Sequence, residues 1–178
     1  MVTVAGEPGR FVASPVPDDV RALAASEHGS DELRRLRGAL AALPEQAPQD
    51  AYVSEVLVRY SDEDVNAHAN HSAQARFLED AKEALACDPA ATSVLRRVAR
   101  QRLHAISVVY ATELRAGDRL EVRVALAPAN AYVAVDPEAS IASLAAWVVR
   151  VHPQPGLAAR GWIECGGGAC ASLDASRL

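Results

Sequence analysis

Residues 56–71 read Val56-Leu-Val-Arg-Tyr-Ser-Asp-Glu-Asp-Val-Asn-Ala-His-Ala-Asn-His71. An alternating segment with strand character opens this stretch and a helical pattern follows it, so the polar residues between them form a strand-to-helix junction. Within five residues the junction holds a carboxylate, an amide and an imidazole, on Asp64, Asn66 and His68. A junction of this kind can present side chains and the free backbone N–H groups of a helix start to a substrate.

The residues after the junction predict one helix and then a run of strands. Apolar side chains lie on one face of a helix of about 15 residues, at Phe77, Leu78, Ala81, Ala84 and Leu85. Strands are predicted at 52–60, 102–114, 120–126, 130–135, 141–151 and 157–164. A single long helix packed on an antiparallel sheet is an α+β architecture of two layers.

The chain divides by composition into three parts. Residues 1–50 form an N-terminal extension with an extended, proline-containing start, two predicted helices (18–25 and 30–43) and a linker. Residues 51–165 form the main domain. Residues 166–178 begin with a glycine triplet, which Cys165 and Cys170 flank, and are predicted to be a flexible tail.

Composition excludes several classes of function. The net charge is −5 and no basic patch is interleaved with aromatic residues, so nucleic acid is a poor candidate for a ligand. No apolar run reaches the ~18 residues of a membrane span. Three cysteines without dense spacing suit a reducing cytoplasm. The segments Asp62-x-Asp64-x-Asn66 and His68-x-x-His71 lack the further ligands of calcium and zinc motifs, so no metal or cofactor is expected.

The segment from Val58 to Asn70 resembles the signature of hotdog-fold thioesterases, of the 4-hydroxybenzoyl-CoA and acyl-carrier-protein types. In that family a strand leads into Asp-x-Asp-x-Asn-Gly-His-x-Asn-Asn and then into the central helix. A second match, from Tyr110 to Val122, resembles the strand and hairpin after that helix. The resemblance covers residues 52 to about 152 and implies a hotdog fold, in which an antiparallel sheet wraps around one long central helix, here with an N-terminal helical extension.

The resemblance also implies a set of catalytic residues: Asp64, Asn66, His68 and Glu113. Asp64 is a candidate general base or nucleophile, and partial burial would make it a better base. Asn66 would orient the acyl group or water, and His68 would act as base, proton shuttle or orienting donor. The sequence alone does not rank Asp64, His68 and Glu113 as the primary base. Asp62 is expected to support the loop.

Around these residues, four others are expected to bind substrate: Asn70, His71, Ser72 and Gln74. Backbone N–H groups near Ser72 would polarise the thioester carbonyl at the positive end of the helix dipole. Two of these four residues, and Ala67 in the loop before them, depart from the family pattern. Ala67 stands in place of the usual glycine, His71 in place of the second asparagine, and Gln74 in place of an aromatic residue.

The sequence therefore predicts a thioesterase that hydrolyses an acyl-CoA or acyl-carrier-protein thioester, in bacterial fatty-acid or polyketide metabolism. The resemblance implies a homodimer or a higher homo-oligomer, and the cysteine content favours the cytoplasm. Two alternatives stay open. One is a hotdog dehydratase or decarboxylating hydrolase acting on a carrier-bound intermediate. The other is an acyl-thioester binding module without catalysis. The departures from the family pattern at Ala67, His71 and Gln74 favour this alternative.

Overall fold

The computed structural model describes residues 3–5, 12–14, 43–127 and 141–169. The chain divides into two compact units, Met1–Arg37 and Gly38–Leu178. In the first unit, β1 (Thr3–Ala5) pairs antiparallel with β2 (Val12–Ser14). Both strands lie where the sequence predicted an extended lead-in. The helices predicted at 18–25 and 30–43 and the strand predicted at 130–135 lie outside the described residues.

The second unit is built on an antiparallel sheet. Within the described residues, its five strands are β3 (Tyr52–Leu57), β4 (Gln101–Tyr110), β5 (Arg119–Leu126), β6 (Ile141–His152) and β7 (Gly156–Ala169). They lie in the order β3-β5-β6-β7-β4, and each neighbouring pair is antiparallel. In the described part of the chain, β3 and β4 are therefore the two edges of the sheet. The α+β class predicted from the sequence is confirmed.

The long helix α1 (His71–Cys87) packs its apolar side against the sheet. Asn70 caps its first turn, because the side chain accepts a hydrogen bond from the backbone N–H of Ala73. Phe77, Leu78 and Leu85 are buried in the cluster between helix and sheet. Full burial of each such side chain contributes about 1.5–3 kcal/mol. The helix ends before Pro89, as the sequence predicted.

A second helix, α2 (Ser93–Ala99), was not predicted. Thr92 caps it through a hydrogen bond from the N–H of Leu95, 3.3 Å long, and Leu95, Val98 and Ala99 are buried. The sequence thus predicted the one long helix but missed this short one, because seven residues are too short a window for the apolar spacing to stand out.

Several strand bounds also differ from the prediction. β3 ends at Leu57, and a short 3-10 helix (Tyr60–Asp62) follows it. β4 ends at Tyr110, because the N–H groups of Ala111 and Thr112 share one acceptor, the carbonyl of Ala158, which interrupts the regular pairing. β7 continues to Ala169, beyond the predicted domain end at 165.

A second apolar cluster lies on the sheet face opposite α1. Trp147 and Trp162 are buried there with Leu43. The indole N–H of Trp147 donates to the carbonyl of Pro44 (2.8 Å), and Arg160 donates to the carbonyl of Leu43 (2.7 Å). The end of the N-terminal extension therefore covers part of this outer face. Among the described residues, no helix is long and apolar enough to cross a membrane.

Candidate active site

Asp62 holds the loop between β3 and α1 in place. It is buried, its carboxylate accepts a 2.8 Å hydrogen bond from the N–H of Arg59, and it forms an ion pair with Arg76 on α1. The carbonyl of Asp62 also accepts from the N–H of Asn70 (2.9 Å). These bonds tie both ends of the loop together, which is the supporting role predicted for Asp62.

Asp64 forms the turn in the middle of this loop. Its Oδ1 accepts from the N–H of Asn66 at 2.7 Å, a short-range bond typical of aspartate in turns. Its backbone N–H donates to the carbonyl of His68 (2.9 Å). Oδ2 forms no hydrogen bond within the described part of the chain. Asp64 and Asn66 are both exposed in the single chain.

Ala67 closes the turn in a left-handed conformation, with φ of 57°. Its N–H donates to the carbonyl of Asp64 (3.0 Å). A residue with a Cβ pays roughly 1–2 kcal/mol in this region, and glycine does not. Ala67 therefore has a backbone conformation that favours glycine, the residue usual at this position in hotdog-fold thioesterases.

His68 contacts two charged side chains from the loop after β4. Its Nε2 lies 3.0 Å from Oε2 of Glu113 and 3.2 Å from Nη2 of Arg115. A ring nitrogen donates when it carries a proton and accepts when it does not, so Nε2 bonds to one of these partners at a time. The tautomer and protonation of His68 therefore select between Glu113 and Arg115.

Two hydrogen bonds hold the loop after β4 against the Asp64 loop. The N–H of Ala69 donates to the carbonyl of Leu114 (2.7 Å), and the N–H of Ala116 donates to Oε1 of Glu63 (2.7 Å). Arg150 on β6 also contacts this loop, because its Nη1 donates a hydrogen bond to the carbonyl of Glu113 (3.3 Å). Glu113 thus stands in a fixed loop and not on the strand that was predicted to extend to residue 114.

Three of the predicted binding residues, Asn70, His71 and Ser72, lie at the start of α1, directly after the Asp64 loop. Oδ1 of Asn70 accepts from the N–H of Ala73 (2.8 Å) and from the hydroxyl of Ser72 (2.6 Å). The imidazole of His71 stacks on the ring of Tyr110, with centroids 4.1 Å apart and planes inclined by 12°. Asn70 therefore acts as a helix cap, and Tyr110 is a site residue that the sequence had not singled out.

Comparison with known proteins gives a match at the level of structure. No family model matches the chain, and no curated protein does. The dynemicin thioesterase superposes with a TM-score of 0.51 and 21% identity, over 66% of this chain and 79% of that one. The chain has the hotdog fold.

Two further solved structures are similar at lower scores. The probable thioesterase YbaW from Escherichia coli is 18% identical over 63% of this chain and 78% of its own, with a TM-score of 0.48. The 4-hydroxybenzoyl-CoA thioesterase from Pseudomonas sp. strain CBS-3 is 14% identical over 65% of this chain and 84% of its own, also with a TM-score of 0.48.

Tyr110 anchors the end of β4 to the start of the central helix of the hotdog domain. Its hydroxyl donates to the carbonyl of His71 at 3.2 Å. Burial raises the pKa of the Tyr110 phenol above its ordinary value, so the hydroxyl keeps its proton and stays a donor at neutral pH. Tyr110 begins the second segment that resembles the family, but nothing in the neighbouring sequence indicated that its ring stacks on His71.

Gln74 is buried in the second turn of the central helix, with 3% of its surface exposed. Its Oε1 is fully covered and has no hydrogen-bond partner in the described part of the chain. A buried acceptor without a partner costs about 1–3 kcal/mol. Gln74 therefore holds an unused hydrogen-bond acceptor inside the domain, at the N-terminal part of α1.

Cys165 is not a candidate nucleophile of the hotdog domain. The sequence placed it as the last residue of the main domain, and the structure places it in β7, where it is fully buried. Burial raises the pKa of its thiol to about 11. The reactive form of cysteine is the thiolate, which is scarce at neutral pH in such a group. Cys170 lies outside the described residues.

Proposed function

We propose that this protein is a thioesterase that hydrolyses an acyl-CoA or acyl-carrier-protein thioester to a free acid and a thiol. The observation that carries the proposal is the contact of His68 with Glu113, 3.0 Å, beside the Asp64 turn at the start of α1. A base, a proton carrier and a helix N-terminus in one place are the parts that acyl transfer to water requires. Fatty-acid or polyketide metabolism is the proposed setting.

In the proposed reaction the thioester carbonyl oxygen accepts hydrogen bonds from the first backbone N–H groups of α1. The cap engages the N–H of Ala73, and the N–H groups of His71 and Ser72 are the proposed donors. As the carbonyl becomes an oxyanion, these donors and the helix dipole stabilise the growing charge. Donors of this type contribute about 3–4 kcal/mol each in other enzymes.

Asp64 is the proposed base. Its Oδ1 is engaged in the turn, and Oδ2 takes a proton from a water as the water oxygen bonds to the carbonyl carbon. The tetrahedral intermediate then collapses, the carbon–sulfur bond breaks, and His68 gives a proton to the leaving sulfur. Glu113 stabilises the protonated imidazole before that transfer, and Arg115 holds the neutral ring afterwards.

The remaining residues have proposed roles in binding. Asn66, exposed beside the turn, orients the water or the acyl group. The free acceptor of Gln74 binds a donor on the substrate, such as an amide N–H of the pantetheine arm or a hydroxyl of the acyl group. Asn70 and Ser72 shape the entrance through the cap, and the stacked ring of His71 borders it.

We further propose that two copies associate at the site. β4 is an unpaired edge of the described sheet, and an antiparallel partner strand satisfies such an edge. Large apolar side chains near the site are exposed, with Tyr60 at 86% and Val65, next to Asp64, at 101%. A second copy that covers them would also bury Asp64. The cytoplasm remains the proposed location.

The test of the proposed function is thiol release from a panel of acyl-CoA and acyl-pantetheine thioesters that differ in chain length and aromatic character. Release of thiol and acid in equal amounts, from a protein whose mass by light scattering is that of a dimer, is the expected result. Products with an altered acyl chain would favour a dehydratase or decarboxylating hydrolase. Saturable binding without thiol release would favour a binding module.

The pair of His68 and Glu113 gives a prediction that separates a catalytic from a structural role. His68→Ala and Glu113→Gln are each expected to lower kcat about 10²-fold or more, and the double variant little further, because the two side chains act as one unit. The side chain of Glu113 is 69% exposed, so the pair adds little to stability. Melting temperatures should therefore change little.

The matched control is Arg115→Ala, which removes the other partner of His68 and leaves the pair with Glu113 in place. It is expected to lower kcat far less than Glu113→Gln. Additive losses from His68→Ala and Glu113→Gln, or losses that follow the melting temperature, would contradict a shared catalytic role.

A further inference from the structure

Four arginines lie together where α2 ends and β4 begins. We call Arg96, Arg97, Arg100 and Arg102 the arginine patch. Arg97, Arg100 and Arg102 are exposed. Arg96 and Arg97 stand in the last turn of α2, Arg100 is its C-cap, and Arg102 is on β4. In a chain with a net charge of −5, this is a local concentration of positive charge.

The charges of the arginine patch are not neutralised within the described part of the chain. The arginines that form ion pairs there are Arg76, Arg123 and Arg150. The acidic residues at this end of α1 are engaged elsewhere: Glu83 pairs with Lys82 at 2.7 Å, and Asp88 accepts from the N–H of Ala90 at 2.8 Å.

Structural roles account for only part of the arginine patch. Two cations in the last turn of a helix complement its dipole, which explains Arg96 and Arg97. Arg100 donates its Nε to the carbonyl of Ala86 at the end of α1 (3.1 Å). Neither role applies to Arg102, and Nε of Arg96 is buried without a partner in the described residues.

The arginine patch is remote from the catalytic groups. Arg100 contacts the last turn of α1, and the proposed site lies at the first turn of this 17-residue helix. At 1.5 Å per residue the two ends are about 25 Å apart. A thioester group bound at His68 in the same chain is therefore out of reach of these side chains.

We infer that the arginine patch docks the acidic surface of a carrier-protein domain that delivers the thioester on its pantetheine arm. This inference rests on the proposed function and names its partner. Residues three and four apart on a helix have Cβ atoms about 5–6 Å apart, so Arg96, Arg97 and Arg100 match carboxylates at the same spacing on a partner helix. Because the rest of the molecule is acidic, local positive charge selects where an acidic partner docks.

The test compares three thioesters of one acyl group, carried on acyl carrier protein, on CoA and on pantetheine. For Arg97→Glu, KM for the carrier-protein substrate is expected to rise about tenfold or more at low salt, with kcat unchanged. KM for the pantetheine thioester should not change. At about 1 M salt, where the Debye length is about 3 Å, the difference between wild type and variant should vanish.

Two variants serve as controls. Arg97→Lys keeps the charge and should restore most of the wild-type KM. Arg119→Glu reverses an exposed arginine on β5, so it changes the net charge equally and should leave all three KM values near those of wild type. Each variant should keep the mass of wild type and stay folded at the assay temperature, although Arg97→Glu should be slightly less stable because it removes a cation from the end of α2.

Equal KM changes for the carrier-protein and CoA substrates would overturn the inference, because the arginine patch would then bind CoA phosphates. An unchanged KM for the carrier-protein substrate would also overturn it. If wild type hydrolyses no thioester, the proposed function fails, and docking is measured alone by fluorescence anisotropy of labelled holo acyl carrier protein. Salt-sensitive binding that weakens about tenfold in Arg97→Glu would support the inference, and no binding would overturn it.

Discussion

Asp64→Asn is expected to lower kcat for thioester hydrolysis by a factor of about 10²–10⁴, the range for loss of a general base. Asparagine retains an Oδ1 that can accept the 2.7 Å hydrogen bond from the N–H of Asn66, so the turn is kept. What is lost is the negative charge and the proton acceptor. The measurement is steady-state thiol release with the best substrate of the panel, beside the melting temperature.

Asp88→Asn is the matched control for this substitution. Asp88 forms the same kind of turn at the other end of α1, where its Oδ1 accepts from the N–H of Ala90 at 2.8 Å. Its substitution should leave kcat unchanged. If Asp64→Asn retained full activity while Asp64→Ala lost it, Asp64 would act through the turn alone, and attention would move to His68 as the base.

Gly161→Ala is expected to have the largest effect on stability. A Cβ at this position would lie 2.1 Å from the carbonyl oxygen of Ser107 and 3.2 Å from the Cα of Val108. Both atoms belong to the backbone of β4, so they cannot rotate away as a side chain does, and β4 and β7 must separate. We expect a loss of at least about 3 kcal/mol, measured by chemical denaturation.

Such a loss corresponds to a fall of about 6–12 °C in melting temperature for a chain of this size. β4 also carries Tyr110 and leads into the loop of Glu113, so kcat should fall with stability. The control is Gly156→Ala, since a Cβ there meets no atom within 4 Å. It should change stability by less than about 0.5 kcal/mol. Equal stability of the two variants would show that β4 and β7 are not so closely paired at Gly161.

The central part of the fold was predictable because its signals are local. Leu120, Val122 and Val124 alternate with charged residues, and they form the buried side of β5. Asn70 and Pro89 bound α1 through capping and steric exclusion. The short helix α2 was missed, although Leu95, Val98 and Ala99 have helical spacing, since strands and helices of this length are not distinguished by periodicity.

The candidate site was predictable only in part. Asp64, Asn66 and His68 follow one another in a single turn, and so their proximity is a property of the local chain. Glu113 entered through resemblance to a family, and nothing in its neighbours indicated that it lies 3.0 Å from His68. The second partner of the imidazole, Arg115, carried no signal of its own.

The features that were predicted and those that were missed differ in how far apart their residues are in the sequence. Turns, caps and apolar periodicity depend on residues two to four positions apart, whose geometry follows from the backbone and the adjacent side chains. Trp147 and Pro44 are 103 residues apart, yet they share a 2.8 Å hydrogen bond. That bond on the outer face of the sheet, the burial of Cys165 and the pairing of His68 with Glu113 all join segments that are distant in the sequence. Contacts of this kind arise from the packing of all the strands together, and no short segment contains them.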